Sequence, residues 1–143
     1  MGSTFSLAGH NAIITGGTRG IGLAIAGGFL QAGATVTLCS RKQENVDQAL
    51  AELESHSDRL LGVTAHVGRG EELEPLVAAA TEKFGPVNVL VNNAGTNPYY
   101  GPIIDSEEWA WDKTMAVNLK APYMLSQVVA RQMTENDGGS IVN

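Results

Sequence analysis

The sequence has only one cysteine, Cys39, so its 143 residues cannot form an internal disulfide bond, which fits a reducing compartment best. It has no apolar run approaching the ~20 residues that a membrane-spanning helix needs. It has no excess of basic residues, and its net charge of −6 argues against a nucleic-acid surface. The N-terminus has no basic segment and predicts no secretory signal, although Met1, Gly2 and Ser6 match a short and common myristoylation pattern. No HExxH sequence or paired Cys and His spacing predicts a metal site. Together these absences predict a cytoplasmic protein without a membrane anchor.

What the chain does contain is a regular alternation of short apolar runs with longer amphipathic stretches. The apolar runs are continuous, as in strands that are buried on both faces. Strand–helix alternation predicts an α/β fold, with a parallel sheet, right-handed crossovers and helices on both faces. No repeat, linker or second domain is visible, so residues 1–143 are expected to form one domain. The predicted strands cover 12–14, 35–38, 60–67, 87–91 and 140–143.

Four helices are predicted between these strands. In the first, the apolar residues Ile21, Ile25 and Phe29 fall on one helical face, and Gly33 is suited to end the helix. The predicted helices cover 21–32, 44–53, 71–84 and 105–133.

The fourth predicted helix and the loop before it carry two further signals. Asp105 and Glu108 have the spacing of an N-terminal capping box, which predicts that the helix begins at Asp105. Residues 95–104, "GTNPYYGPII", follow a predicted strand and are rich in Gly, Pro and Tyr. A loop at the carboxyl end of a parallel strand is a frequent place for ligand contacts.

Residues 12–22 read "AIITGGTRGIG", a buried strand followed by a glycine-rich turn and then a helix. Glycine lets the backbone turn sharply and approach a ligand closely. The N-terminus of the following helix offers unpaired N–H groups and a positive dipole end to a pyrophosphate. A lone glycine pattern would also suit a tight, closely packed turn, but the strand before it and the helix after it supply the context of a dinucleotide site.

The residues after the second strand bear on the choice of nucleotide. An NAD site has an acidic residue ~20 positions on that binds the ribose 2′-hydroxyl, whereas an NADP site has an Arg nearby. Here Ser40, Arg41 and Lys42 follow the strand, with no acid before Glu44. Arg41 and Lys42 stand at a helix start, where the dipole disfavours cations, and a bound anion would remove that conflict. Together with Arg19 they predict NADP(H) rather than NAD(H), although solvated surface charges would look the same.

Read together, these motifs resemble the short-chain dehydrogenase/reductase family. "TGGTRGIG" at 15–22 is similar to its cofactor loop, "NNAG" at 92–95 to its strand-ending motif, and "VNLKAP" at 117–122 to the segment that holds its characteristic asparagine. The resemblance runs along the whole chain. It implies a Rossmann-type parallel sheet and reversible, nicotinamide-dependent carbonyl and alcohol chemistry. The cofactor contacts that it implies are Gly16, Gly17, Thr18, Arg19, Gly20, Ile21, Gly22, Asn93, Ala94 and Gly95.

The pair His66-Val67 departs from the family pattern. The family usually has Asp before Val at the end of the third strand, where the Asp meets the adenine amino group. His66 could accept that hydrogen bond only as neutral imidazole, in one tautomer. A lone His at a strand end would also suit a structural role. We expect both residues to contact the cofactor, Val67 more securely than His66.

Asn118 is the one catalytic residue that the resemblance implies within this chain. Pro122 lies four residues on and has no N–H, so the carbonyl of Asn118 loses its helical partner and the helix should bend. A freed carbonyl can bind a water, and the asparagine of the family is thought to hold such a water in a proton relay. The alternative is an ordinary proline kink.

The family's catalytic Ser and its Tyr-x-x-x-Lys pair lie on the next strand end and helix, and no tyrosine of these 143 residues has a lysine four positions later. We therefore expect the chain, which stops within an apolar strand, to be the cofactor-binding part of an NADP(H)-dependent oxidoreductase, inactive by itself. The resemblance implies a small carbonyl or alcohol substrate and a complete protein that is a homo-oligomer. The alternative function is a non-catalytic nucleotide-binding or interaction module.

Overall fold

The computed structural model describes residues 5–143, so Met1 and Gly2 of the myristoylation pattern lie outside the described residues. Its centre is one sheet of five parallel strands in the order β3-β2-β1-β4-β5, which confirms the predicted sheet. β3 ends at Thr64, earlier than predicted, and β5 is an edge strand. The strands are β1 (Asn11–Thr15), β2 (Thr35–Ser40), β3 (Leu60–Thr64), β4 (Val89–Val91) and β5 (Ser140–Val142).

The connections between the strands are helical. Short 3₁₀ turns lie at Glu54–Arg59, Gly70–Glu72 and Ile103–Asp105, and a π-helical turn at Ala116–Lys120 separates α4 from α5. No helix among residues 5–143 has the length and apolar character needed to cross a membrane. The helices are α1 (Gly20–Gln31), α2 (Gln43–Glu52), α3 (Leu73–Phe84), α4 (Glu108–Met115) and α5 (Ala121–Glu135).

Two apolar clusters form the core, one on each face of the sheet. Ile13 belongs to the cluster beneath α3 and α5, whereas its neighbour Ile14 belongs to the cluster beneath α1 and α2. Every residue of β1 is buried because this strand is central and covered on both faces. The continuous apolar runs in the sequence therefore reflect two-sided burial.

The predicted start of the fourth helix is wrong. α4 begins at Glu108, and its N-cap is Glu107, which has an extended backbone and no side-chain capping bond. Asp105 instead ends a 3₁₀ turn, and the extended Ser106 separates that turn from α4. The Asp105 carboxylate therefore does not cap α4, and the predicted capping box does not form.

The predicted apolar face of α1 is only partly confirmed. Ile25 and Phe29 are half-buried and pack against the core, and Gly22, Ala26 and Leu30 are fully buried, whereas Ile21 is 75% exposed. The small residues Gly22 and Ala26 let α1 lie close to the sheet. Ile21 consequently points away from the core and borders the cleft described next.

Candidate functional site

A cleft of about 570 Å³ opens at the carboxyl ends of β1, β2, β3 and β4. Cofactor sites of α/β proteins occur at this edge of the sheet, and their volumes are typically about 300–1,000 Å³. All of the predicted cofactor contacts line the cleft except Gly17. Gly17 packs into the fold instead, since a Cβ there would lie 2.8 Å from the Cβ of Leu38. The parallel crossovers thus bring the glycine loop, the Ser40–Lys42 segment, His66-Val67 and the Asn93–Gly95 segment to one place.

The glycine loop presents bare backbone to this cleft. Gly16 and Gly20 have φ of +62° and +53°, a left-handed conformation that favours glycine. A Cβ on Gly20 would meet no atom within 4 Å, so this residue faces open space. The N-cap of α1, Arg19, makes no side-chain capping bond, and the first turn holds no acidic residue. The positive end of α1 is therefore available to a bound anion.

A hydrogen-bond network fixes this loop to the end of β4. The Nδ2 atom of Asn93 donates to the carbonyl oxygens of Thr15 and Gly16, at 3.0 and 3.2 Å. The hydroxyl of Thr15 accepts the backbone N–H groups of Asn93 and Ala94, at 3.1 and 3.0 Å. The side chain of Asn93 therefore positions the glycine loop, and its amide nitrogen is turned towards the protein. Sequence reasoning missed the part that Thr15 takes in this network.

The charges around the cleft have one sign. Arg19, Arg41, Lys42 and Lys113 line it, and no Asp or Glu from residues 5–143 does. Neither of the ion pairs found in the described part of the chain involves these cations, since they join Arg59 to Asp58 and Arg69 to Glu72. A chain of net charge −6 thus concentrates four unpaired cations at one cleft. The bare helix terminus, the open position at Gly20 and these cations fit an elongated ligand with several phosphate charges.

The His66-Val67 segment is held by a local network. The backbone N–H of His66 donates to Glu72 Oε2 at 2.6 Å, and Glu72 Oε1 pairs with Arg69 at 3.1 Å. The His66 N–H, and then the Arg69 guanidinium, hold the pKa of the Glu72 carboxyl below its usual range. The backbone N–H of Gly68 donates to Nδ1 of the His66 ring at 3.1 Å. His66 therefore occupies a fixed position at the cleft.

Asn118 lies in the π-helical turn and does not itself line the cleft. Its side chain bonds Thr96, which does line the cleft, through both the amide nitrogen and the amide oxygen. The backbone N–H of Ala121 reaches the carbonyl of Ala116, five residues back, as expected where the helix widens before Pro122. The predicted disturbance of the helix is thus present as a π-helical turn.

Several lining residues were not identified from the sequence. Cys39 and Ala65 directly precede predicted contacts at strand ends, so they could have been predicted as neighbours of those contacts. Lys113 and Val117, one helical turn apart, carried no such signal, because only the fold brings α4 to this edge of the sheet. Thr96 lies in the loop of residues 95–104 where ligand contacts were predicted, although it was not named individually, and the missed lining residues are Cys39, Asn45, Ala65, Lys113 and Val117.

Cys39 is not a candidate nucleophile. It is fully buried, and burial raises the pKa of its thiol to about 11, even though a backbone hydrogen bond from Gly16 acts in the opposite direction. Near neutral pH the thiol therefore stays protonated, and the thiolate is the reactive form. Among residues 5–143 there is likewise no group of three or more His, Cys, Asp or Glu side chains that could hold a metal ion.

The sequence of this chain is similar to those of known proteins. The sequence model of the family described as "short chain dehydrogenase" matches residues 10–143. Human "Dehydrogenase/reductase SDR family member 4" is 45% identical over 136 residues, which cover 95% of this chain and 49% of the relative. Human "Dehydrogenase/reductase SDR family member 2, mitochondrial" is 43% identical over 136 residues, covering 95% and 48%. The chain thus spans about half the length of the curated relatives it matches.

Two solved structures share the architecture. A "putative short-chain alcohol dehydrogenase" from Sinorhizobium meliloti superposes with a TM-score of 0.90 at 35% identity, over 97% of this chain and 55% of the other. A "putative short-chain dehydrogenase" from Novosphingobium aromaticivorans has a TM-score of 0.86 at 32% identity, over 91% and 47%. The five-stranded parallel sheet and its helices are therefore an arrangement that these structures share.

Proposed function

This chain belongs to the short-chain dehydrogenase family, and we propose that it forms the cofactor-binding part of an oxidoreductase that transfers a hydride between NADP(H) and a carbonyl or alcohol substrate. The observation that supports the cofactor proposal is that four cations, and no Asp or Glu of the described residues 5–143, line the cleft. An acidic side chain at the end of β2 would favour the free ribose hydroxyl of NAD(H), and Ser40 stands there instead. The extra phosphate of NADP(H) would offset the crowding of like charges.

Each segment of the cleft has a role in holding the cofactor. The backbone of the Gly16–Gly22 loop, at the N-terminus of α1, binds the pyrophosphate. Ser40, Arg41 and Lys42 bind the ribose 2′-phosphate, and Arg19 adds a further charge. His66 and Val67 contact the base. Asn93 keeps the glycine loop in place through its bonds to Thr15 and Gly16. Ala94 and Gly95 bring bare backbone to the cofactor at the end of β4. The nicotinamide supplies the hydride when it is bound.

Asn118 is the residue of this chain that we assign to proton transfer. Its side chain is committed to Thr96, so its role falls to the main-chain carbonyl, which lies in the widened turn before Pro122. There it holds a water in the path of a proton. An amide does not itself donate or accept a proton at neutral pH, so Asn118 is a positioning residue in this scheme.

The finer features of the complete protein remain predictions. A small carbonyl or alcohol as the substrate, a homo-oligomeric assembly, and residues 1–143 as one NADP(H)-binding domain all belong to the same proposal. The expected cytoplasmic location also stays a prediction, since one human relative is named as mitochondrial.

Binding measurements on the wild type and two variants test the cofactor proposal. Arg41→Ala should weaken NADPH binding about 10- to 150-fold, the worth of one charge-assisted hydrogen bond of about 1.5–3 kcal/mol, and leave NADH binding unchanged. Arg131→Ala is the matched control, because Arg131 is exposed on α5 and does not line the cleft. Equal affinity for NADPH and NADH in the wild type and in Arg41→Ala would contradict the proposal.

A further inference from the structure

The imidazole of His66 is held in one tautomeric form by its own loop. A backbone N–H is always a donor, so the bond from Gly68 N to His66 Nδ1 uses the ring nitrogen's single lone pair. While this bond lasts, Nδ1 carries no proton and the ring proton resides on Nε2. The other ring nitrogen is thus a hydrogen-bond donor and cannot accept.

The loop is built to maintain this arrangement. A Cβ on Gly68 would lie 2.9 Å from Cε1 of His66 and 3.0 Å from Cγ2 of Val117, so the absence of a side chain at Gly68 makes room for the ring. Glu72 holds the backbone N–H of His66 from the opposite side of the loop. Nε2 of His66 has no hydrogen-bond partner within residues 5–143, and the residue borders the cleft. The structure therefore leaves one N–H of the ring for a ligand.

The order of the strands indicates which part of a dinucleotide this N–H would meet. The pyrophosphate lies at the N-terminus of α1, after β1, and the adenosine ribose lies at the end of β2. β3 is the next strand in that direction, and His66 follows its end. The base of the adenosine half therefore falls beside His66. This placement rests on the dinucleotide site proposed above.

We propose that His66 recognises the purine base as a hydrogen-bond donor, so that the cleft accepts a 6-oxopurine at least as well as adenine. The 6-amino group of adenine is itself a donor, so it makes no hydrogen bond with the Nε2–H group. Adenine offers this N–H only its ring nitrogens. The 6-oxygen of hypoxanthine is an acceptor at the same position on the base. His66 thus favours a base with an acceptor at position 6. A carboxylate at this place would have the opposite preference, because it accepts a hydrogen bond from the 6-amino group of adenine.

Titrations of the protein with NADPH and with its hypoxanthine analogue, deamino-NADPH, test this inference by the fluorescence of the reduced nicotinamide. The wild type should bind deamino-NADPH at least as tightly as NADPH. His66→Asp replaces the donor by an acceptor and should move the affinity ratio about tenfold towards NADPH. His66→Asn is the matched variant, because an amide can turn to donate or accept, and its ratio should lie between the other two.

The outcomes separate this inference from the proposed function. A wild type that binds NADPH more than about threefold tighter than deamino-NADPH overturns the donor role of His66 while leaving the NADP(H) site intact. An unchanged ratio in a folded His66→Asp variant, verified by circular dichroism, overturns it as well. Failure of the wild type to bind either nucleotide refutes the NADP(H) site itself, and the inference with it. The ratio of the NADPH and deamino-NADPH affinities of the wild type requires no substitution. The inference can therefore be tested even if a variant fails to fold.

Discussion

Asn118 and Thr96 are joined by a reciprocal pair of hydrogen bonds: the backbone N–H of Thr96 donates to Asn118 Oδ1 at 2.8 Å, and Asn118 Nδ2 donates to the carbonyl of Thr96 at 2.9 Å. The two residues lie 22 positions apart in the chain. One belongs to the π-helical turn between α4 and α5, and the other to the irregular segment after β4 that borders the cleft. This pair ties the cleft wall to the helix that widens before Pro122.

Asn118→Ala should release the segment at Thr96. Both bonds disappear, and each is worth about 0.5–1.5 kcal/mol in a typical case, so the Thr96 amide should exchange with solvent at least several-fold faster. Hydrogen exchange followed by mass spectrometry or NMR measures this. Gln127→Ala is the control, because within residues 5–143 the Gln127 side chain bonds only Tyr123 on the same helix. Unchanged exchange at Thr96 in Asn118→Ala would show that the pair does not hold the segment.

Gly22→Ala and Gly28→Ala should have opposite effects, although both residues lie in α1. A Cβ on Gly22 would overlap the carbonyl oxygen of Gly16 and lie 2.5 Å from Nδ2 of Asn93, so the glycine loop must shift and nucleotide affinity should fall more than tenfold. A Cβ on Gly28 meets nothing within 4 Å, and alanine there should stabilise the protein by about 0.5–1 kcal/mol. Chemical denaturation and NADPH titration of both variants measure these effects. Equal behaviour of the two would contradict the close packing at Gly22.

The buried thiol of Cys39 should make stability depend on alkaline pH. Burial raises its pKa from 9.0 to about 11, so the folded protein keeps a proton that the unfolded chain has already released. The stabilising contribution is complete below pH 9 and is lost as the pH rises towards 11, by about 3 kcal/mol at most.

Comparison with Cys39→Ala isolates this effect from the other groups that titrate in the same range. The stability advantage of the wild type over Cys39→Ala should be about 2 kcal/mol smaller at about pH 10.5 than at pH 8. Urea unfolding at the two pH values measures it. A difference between the two proteins that does not vary with pH would argue that Cys39 is accessible to water or that its charge is otherwise stabilised.

A polypeptide of residues 1–143 should bind NADPH without oxidising it in the presence of ketones or aldehydes. None of its tyrosines has a lysine four positions later, so residues 1–143 do not contain the Tyr-x-x-x-Lys pair of the family. A general acid such as the tyrosine of that pair contributes about 10²–10⁴-fold to the rate. Asn118 cannot replace it, because a carboxamide side chain does not act as a general acid or base near neutral pH. The assay follows NADPH absorbance with a panel of carbonyl compounds, and a full-length family member serves as positive control. A rate near that of the control would show that other residues supply the proton.

Much of the architecture was predictable because it depends on short-range sequence patterns. Continuous apolar runs predicted strands buried on both faces, and Gly33 and Gly85 end α1 and α3 in conformations with positive φ. Prediction was wrong where a local pattern competed with its surroundings. Asp105 had the spacing of a capping residue, but a 3₁₀ turn holds it away from α4.

The sequence by itself determined the alternation of strands and helices, the glycine loop and the family, because each depends on residues a few positions apart. Only the tertiary structure decided that Asn93 turns its amide towards Thr15, 78 residues away, and that Asn118 bonds Thr96, 22 residues away. It also decided that Lys113 of α4 joins Arg19, Arg41 and Lys42 around one cleft. The physical reason is that parallel crossovers carry the chain back across the sheet each time, so the carboxyl ends of distant strands meet at one edge. Which donors and charges converge there depends on strand order and helix placement, and no short window of sequence contains that information.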